Sequence, residues 1–229
     1  MIYHNFRRGD CYLKILIATK NPGKAREIAT FLGKDFNVVY LRDMSGAPDV
    51  EETGKTFEEN AVFKAKAYFD WSGIPSVADD AGLGTDYLNG EPGVKSRRWP
   101  SFAEASTFAK ASADKSAGKL GREKTDQELI DIALKKLKGV PREKRTAHLT
   151  AVGAFWDGKN LLTEKASIDG YIVERQTVEC EPGYPFRSIF MIPQFGKLYQ
   201  DLTHEEHEQI NHRKQVYMRL ADKISKIAG

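Results

Sequence analysis

Leu13-Lys14-Ile15-Leu16-Ile17-Ala18 runs without a break into Thr19-Lys20-Asn21-Pro22-Gly23-Lys24, and this stretch sets the architecture of the chain. The first six residues are a short apolar run rich in β-formers and predict a strand. Asn-Pro-Gly punctuation follows at once, and Lys24 to Leu32 carries its apolar residues at helical spacing. Asn21 suits the N-cap, Pro22 the first helical position, and Gly33 the residue just past the end. The first turn of such a helix leaves backbone N–H groups unpaired and pointing outward, so an anion can bind there; Gly23 admits a ligand close to the backbone and Lys24 adds charge. The GxxxxGK[ST] spacing of a Walker A loop is absent, and taken alone the run fits an ordinary capped turn equally well.

Outward from this unit, Val38-Val39-Tyr40-Leu41 predicts a second strand, and a polar segment through Asp49 to Gly54 leads to a helix from Thr56 to about Trp71. Thr56-Phe57-Glu58-Glu59 has the capping-box pattern. Pro75 to Asp79 is the next strand, ending in the acidic pair Asp79-Asp80 with Ala81-Gly82-Leu83 as a flexible turn. That would set the carboxylates at a strand's C-terminal edge, where ligands collect in open α/β sheets. Adjacent carboxylates repel unless a cation or a shared proton intervenes, so the pair favours a divalent metal or a raised pKa. Asn60 and Lys64, four residues apart, share one helix face, and Glu51 and Glu52 precede that helix in a loop. A lysine and carboxylates converging there could hold phosphate and metal together, although singly each is also explained as a cap or a surface charge.

Phe102 to Gly121 is rich in Ala, Ser and Lys and reads as an exposed insertion. Asp126 to Lys138 predicts an amphipathic helix closed by Gly139 and Pro141. Thr146 to Trp156 and Leu161 to Ile168 flank Asp157-Gly158-Lys159-Asn160, a hairpin signal that attaches an antiparallel portion to the strand-helix-strand core. Ser188 to Ile192 is one more strand, and His212 to Ile227 a closing helix with Asn211 as its cap, where His212 and Arg213 would form a second phosphate clamp.

Composition narrows the class. The 229 residues include 35 Lys plus Arg against 32 Asp plus Glu, and the net charge of +3 is dispersed, which makes nucleic acid an unlikely partner. Cys11 and Cys180 have neither metal-ligand spacing nor the number for a disulfide framework. Met1 to Asp10 lacks the apolar core of a signal peptide, and no stretch approaches a membrane span, so the expectation is a cytoplasmic protein without a membrane partner.

In their order along the chain these motifs resemble the inosine triphosphate pyrophosphatase family. Its pattern reads roughly T-x-N-x-x-K, E-x-G-x-T-F-x-E-N-A-x-x-K-A, A-D-D-S-G-L and L-x-G-x-P-G-x-x-S-A-R, with G-F-G-Y-D-P-x-F and S-H-R later. Here stand Thr19 to Lys24, Glu52 to Ala65, Ala78-Asp79-Asp80-Ala81-Gly82-Leu83 and Leu88 to Arg98, and the resemblance spans about residues 13 to 225 apart from the insertion. It implies an α/β fold, elongated and two-lobed with a mixed sheet and the active-site cleft between the lobes, commonly a homodimer. Residues 1–12 would be an N-terminal extension and 13–229 a single pyrophosphatase domain with the insertion at about 102–121. The implied reaction is hydrolysis of a nucleoside triphosphate to the monophosphate and pyrophosphate, with Mg²⁺ as cofactor. By the same resemblance Thr19, Asn21 and Lys24 bind the triphosphate with Lys64 beside it. Asp80 is the general base and, with Glu51 or Glu52, holds the metal, while Asp79 supports it. Asn60, Ala81, Ser96, Tyr184, Phe186, Arg187, His207, His212 and Arg213 complete the substrate-binding set.

The second half departs from the family pattern at the positions that meet the base. G-F-G-Y-D-P becomes Gly183-Tyr184-Pro185-Phe186-Arg187-Ser188, so an aspartate is replaced by Arg187. A lysine becomes His207, a titratable imidazole, the serine of S-H-R becomes Asn211, and Ala81 replaces the serine after the acidic pair. Phosphate and metal positions persist, so pyrophosphohydrolysis is expected with base selectivity shifted from inosine and xanthosine triphosphates. Arg187 suits a carbonyl-rich base edge. The competing readings are a pyrophosphatase for a modified pyrimidine nucleotide and a catalytically silent nucleotide- or RNA-binding protein on the same scaffold.

Overall fold

A computed structural model describes residues 13–100 and 123–228; the expected extension at 1–12, with Cys11, and the insertion at 102–121 lie outside the described residues. The chain is a mixed α/β protein. Its strands are β1 (Leu13–Ile17), β2 (Phe36–Tyr40), β3 (Ser76–Thr85), β4 (Glu91–Pro92), β5 (Thr146–Trp156), β6 (Leu161–Ile172), β7 (Phe190–Ile192) and β8 (Lys197–Leu198). The helices are α1 (Pro22–Leu32), α2 (Phe57–Ser72), α3 (Asp126–Lys136), α4 (His204–Ile210) and α5 (His212–Ala228). Strand order in the sheet is β2-β1-β3-β5-β6-β7-β8, with β4 paired to β3.

Two compact units emerge from the contacts. One takes the chain up to Asp80, Val152–Lys165 and the chain from Arg213 onward; the other takes Ala81–Ala151 and Ala166–His212. In the first unit β1 is parallel to β2, from Leu13 opposite Phe36 to Ile17 opposite Tyr40, and parallel to β3, with Leu16 and Ile17 opposite Ser76 and Val77. The core here joins Leu16 and Ala18 to Ala61, Ala65 and Tyr68 of α2, whose spacing of four and three puts them on one face, and to Val152 and Ala154 of β5. Helix α5 lies so close on β5 that a side-chain carbon at Gly153 would meet Leu220 at 2.7 Å and Val216 at 2.8 Å. In the second unit Leu129, Ile130, Ile132 and Ala133 of α3 pack with Trp99, Phe186 and Phe190 into a separate core, with β7 antiparallel to both β6 and β8.

The hairpin expected from Asp157-Gly158-Lys159-Asn160 is present, and its turn is held by the Asp157 carboxylate, which accepts from Lys159 N at 2.8 Å and Asn160 N at 2.6 Å. Strand β6 runs four residues past the expected Ile168. The larger difference lies in β3, which does not stop at the acidic pair. Gly84 and Thr85 pair with Pro92 and Glu91 of β4, so Ala81-Gly82-Leu83 is strand and not a flexible turn. Asp79 and Asp80 therefore sit in mid-strand. The carboxyl end they flank belongs to β1, whose last residue, Ile17, is level with Val77.

Candidate active site

Past Ile17 the chain enters the Thr19–Lys24 turn. Asn21 caps α1 with its side chain, whose Oδ1 accepts from Gly23 N at 2.9 Å and Lys24 N at 3.2 Å, while Ala25 N reaches Asn21 O at 3.0 Å. Pro22 has no N–H. The open backbone donors expected at this helix start are thus already occupied, and an anion here must be met by side chains and the helix dipole. Thr19 Oγ1 accepts from Asn21 N at 3.2 Å and steadies the turn. Lys24 reaches across to Asp79, Nζ to Oδ2 at 2.7 Å.

The two adjacent carboxylates occupy opposite environments, because neighbours along a strand point to opposite faces. Asp79, buried, has the Arg213 Nε on Oδ1 at 3.2 Å and the Tyr217 hydroxyl on the same oxygen at 3.2 Å, besides Lys24. Burial alone would raise its pKa; Arg213 and Lys24 outweigh that and hold it far below the usual carboxylate range. Arg213, itself buried, also pairs with Glu27 at 2.5 Å, so its guanidinium is built into a cluster around Asp79. Asp80 faces the other way. Asn60 Nδ2 donates to its Oδ2 at 3.0 Å, and Lys64 Nζ lies 3.6 Å from Oδ1. Burial, with the Glu52 carboxylate, pushes Asp80 above its ordinary value against the pull of Lys64 and Lys24.

Lys64 ties the site together. Its ammonium donates to Glu52 Oε1 and to the Asp79 carbonyl, both at 2.6 Å, and although burial would lower its pKa, Asp80 and Glu52 hold it up. Of the two glutamates offered by the sequence, Glu52 is the one that meets Lys64 and shares it with Asp80; Glu51 is exposed. Among the described residues no three carboxylate, His or Cys groups converge to hold a metal unaided. Two carboxylates with substrate phosphates and waters completing the shell is nevertheless the hard-oxygen donor set that Mg²⁺ takes, so the residues fit that ion. Asn60, fully buried, is oriented from behind, its Oδ1 accepting from Gly54 N at 2.8 Å. Thr56 caps α2 as expected through Glu59 N, but the Glu59 carboxylate accepts from Lys55 N at 2.6 Å rather than completing the box on Thr56.

The remaining sequence candidates lie in the second unit. Phe186 belongs to its hydrophobic core, edge-on to Trp99 at 6.4 Å, and Ser96 Oγ closes a turn on Gly93 O at 2.7 Å. Ala81 continues β3. Arg187 lies flat on the Tyr184 ring, 3.7 Å from its centroid, and pairs with Glu181 at 2.9 Å. His207 Nε2 meets the Tyr199 hydroxyl at 2.7 Å, and His212, buried, lies edge-on to the Tyr199 ring at 6.2 Å. Glu181, Arg187, Tyr199, Gln200 and His207 line a cavity of about 210 Å³. Sequence reasoning missed Glu27, Tyr217, Glu181, Tyr199 and Gln200. Glu27 and Tyr217 sit on helix faces without motif spacing, and only proximity in space singles them out.

Comparison with known proteins identifies the family. A sequence profile of the Ham1 family matches residues 15–223. A dITP/XTP pyrophosphatase of Geobacillus kaustophilus is 38% identical over 218 residues, 94% of this chain and 96% of that protein. One from Bacillus subtilis is 33% identical over 208 residues, 90% of this chain and 94% of its own length. Among solved structures, a Ham1 protein of Staphylococcus aureus superposes with a TM-score of 0.73 at 28% identity, covering 93% of this chain and 98% of that one. A HAM1 protein of Coxiella burnetii gives 0.72 at 28% identity over 93% and 99%. With a family profile matched over most of the chain, a matching fold and relatives aligned over nearly their whole length, the chain belongs to the Ham1 family.

Proposed function

We propose that this chain hydrolyses purine nucleoside triphosphates of the inosine and xanthosine type to the monophosphate and pyrophosphate. The observation that carries the reading is the split acidic pair: one carboxylate fixed as an anion between Lys24 and Arg213, its neighbour pushed upward beside Lys64. Adjacent acids driven apart by their surroundings are the arrangement by which one becomes a proton acceptor and the other a permanent charge. Asp80, oriented by Asn60, takes the proton of the attacking water as its oxygen joins phosphorus and the bond between the α- and β-phosphates breaks. Asp79 holds Lys24 in place at the start of α1, and Lys24 and Lys64 stabilise negative charge that grows on the leaving pyrophosphate. Thr19 and Asn21 orient the phosphates, and Arg213 and His212 start α5 beside them. Glu52 and Asp80, with Glu51 next to them, would hold Mg²⁺, which supplies neutralisation of phosphate charge and a lowered pKa for the water it binds.

The activity for which the relatives are named, dITP/XTP pyrophosphatase, points to the same substrates, and Arg187 and His207 are where selectivity among bases would shift. A homodimer working in the cytoplasm is part of the same reading; no helix among the described residues is long and apolar enough to cross a membrane. The test is product analysis with Mg²⁺ and a panel of inosine, xanthosine, guanosine, adenosine and cytidine triphosphates. Pyrophosphate is the expected product, lost on chelation. Orthophosphate would make the enzyme a phosphatase, and tight binding without turnover would make it a silent nucleotide binder.

A further inference from the structure

In the second unit His148, on β5, stands between two carboxylates that approach its ring from opposite sides. Its Nδ1 meets Asp169 Oδ1 of β6 at 2.8 Å, and its Nε2 meets Asp86 Oδ1, in the turn that follows β3, at 3.0 Å. An ionised carboxylate only accepts. A neutral imidazole carries one N–H, so it can satisfy one of these contacts and must turn a lone pair on the other oxygen; both are made only by the imidazolium. Asp86 is fixed as the anion this requires, since the Thr146 hydroxyl donates to its Oδ2 at 2.5 Å and, together with His148, holds its pKa below the ordinary value.

The arrangement belongs to the register of the sheet. Two residues further along β5 and two residues back along β6, the Thr150 and Ser167 hydroxyls meet at 2.8 Å, so His148 and Asp169 are the next cross-strand pair on the same face. Strands β3, β5 and β6 are neighbours, and the charges across them alternate negative, positive, negative. The charges acting on the ring are these two carboxylates, from the elements on either side of β5: the hydrogen bond to Asp169, then that to Asp86, raise the imidazole above its ordinary value against partial burial. His148 is half-buried and both aspartates are exposed, so the contacts are screened and individually weak. The same turn is pinned on its own backbone by Asn89 N on Asp86 O at 3.0 Å and Gly90 N on Thr85 O at 2.9 Å, which leads the chain into β4.

We propose that His148 is a pH-sensitive clamp: protonated, it ties the end of β3 and strand β6 to β5, and on losing its proton it lets go of one of the two. Because the folded chain favours the imidazolium, the stabilisation is fully present below the unfolded histidine value of about 6.5 and is lost as pH rises through the higher folded value. The titration of His148 in the full chain, followed by proton–nitrogen NMR and assigned through its backbone, tests this without any variant. A midpoint above about 6.5 is expected, with both ring nitrogens at imidazolium shifts below it. Asp86→Asn and Asp169→Asn each remove one anion with little change of shape, and each should lower the midpoint, the double variant most. By calorimetry the parent should exceed His148→Gln in Tm by about 2–4 °C near pH 6, and the gap should close as pH rises through the midpoint. A packing role would leave that gap unchanged with pH. A midpoint at or below about 6.5, either aspartate variant leaving it unmoved, or a Tm gap equal at about pH 6 and pH 9 would overturn the clamp.

Discussion

Asp79→Asn removes one charge and almost no volume from the most densely paired position of the site. The asparagine retains an oxygen for the Tyr217 hydroxyl and for Arg213, yet Lys24 and Arg213 lose the anion that lies 2.7 and 3.2 Å from them. Breaking a buried ion pair from one side costs about 3–5 kcal/mol, because the partner is left charged and poorly hydrated. Two features of the cluster move the expectation to the lower end. Arg213 keeps Glu27 at 2.5 Å, and the Lys24 side chain is 19% exposed and can regain water. A loss of about 3 kcal/mol in a chain of this length corresponds to a drop in Tm of about 6–12 °C. Scanning calorimetry near neutral pH measures it. Arg213→Met alone should cost a comparable amount, and the double variant should be more stable than the sum of the two losses predicts, since each change removes the other's reason to destabilise. The acid limb is a second check. Asp79 is depressed in the folded chain, so its stabilisation is present above the unfolded carboxylate value of about 3.9 and is lost as pH falls below it; Asp79→Asn should flatten that part of the profile. A Tm change below about 2 °C, or strictly additive variants, would refute the claim that Asp79 is a buried anion serving two cations.

Asp80→Asn is expected to lower kcat for pyrophosphate release by about 10²–10⁴ while triphosphate binding by calorimetry stays within a few fold; near-parental turnover would remove Asp80 as the base. Because burial raises Asp80 above its ordinary value, the acid limb of activity should lie higher than for a free aspartate, and Lys64→Met, which removes the opposing cation, should move that limb to higher pH in a kcat/KM profile. Gly54→Ala would place its Cβ 2.6 Å from Asn60 Oδ1 and 2.7 Å from Glu59 Cβ, so the Asn60–Asp80 contact should loosen and kcat fall more than affinity. At Gly158, with φ of +93°, a Cβ would lie 2.6 Å from the Phe69 ring, and Gly158→Ala is expected to destabilise by about 1–3 kcal/mol in thermal unfolding without altering base preference.

The parts legible in the sequence are those decided within a few residues. Asn21 before Pro22, Thr56 three residues before Glu59, and Asp157-Gly158 between two alternating runs each satisfy backbone groups in their own neighbourhood, and each appears as expected. Where two partners competed for one group, the pattern did not say which would win. The glycine and alanine after Asp80 look like a turn, yet pairing of Gly84 and Thr85 with β4 keeps them extended; Glu59 looks like half of a capping box, yet the nearer Lys55 N–H takes it. The Gly23 and Lys24 N–H groups, expected to be open to an anion, are consumed by their own cap.

The sequence by itself determined the order of the strands and helices apart from the short β4, β8 and α4, the family, and most of the charged residues of the proposed phosphate site, because caps, turns and hydrophobic periods act over short stretches of chain. Its local pattern gave Asp79 and Asp80 no different surroundings, their separate roles coming from the family resemblance alone, and it left Glu51 and Glu52 as alternatives. Only the tertiary structure separated them: Arg213, more than a hundred residues away in the chain, closes on Asp79, while Lys64 joins Asp80 to Glu52. The physical reason is that a carboxylate's protonation follows from burial and from the charges within a few ångströms of it, and those neighbours are chosen by packing and not by position in the chain.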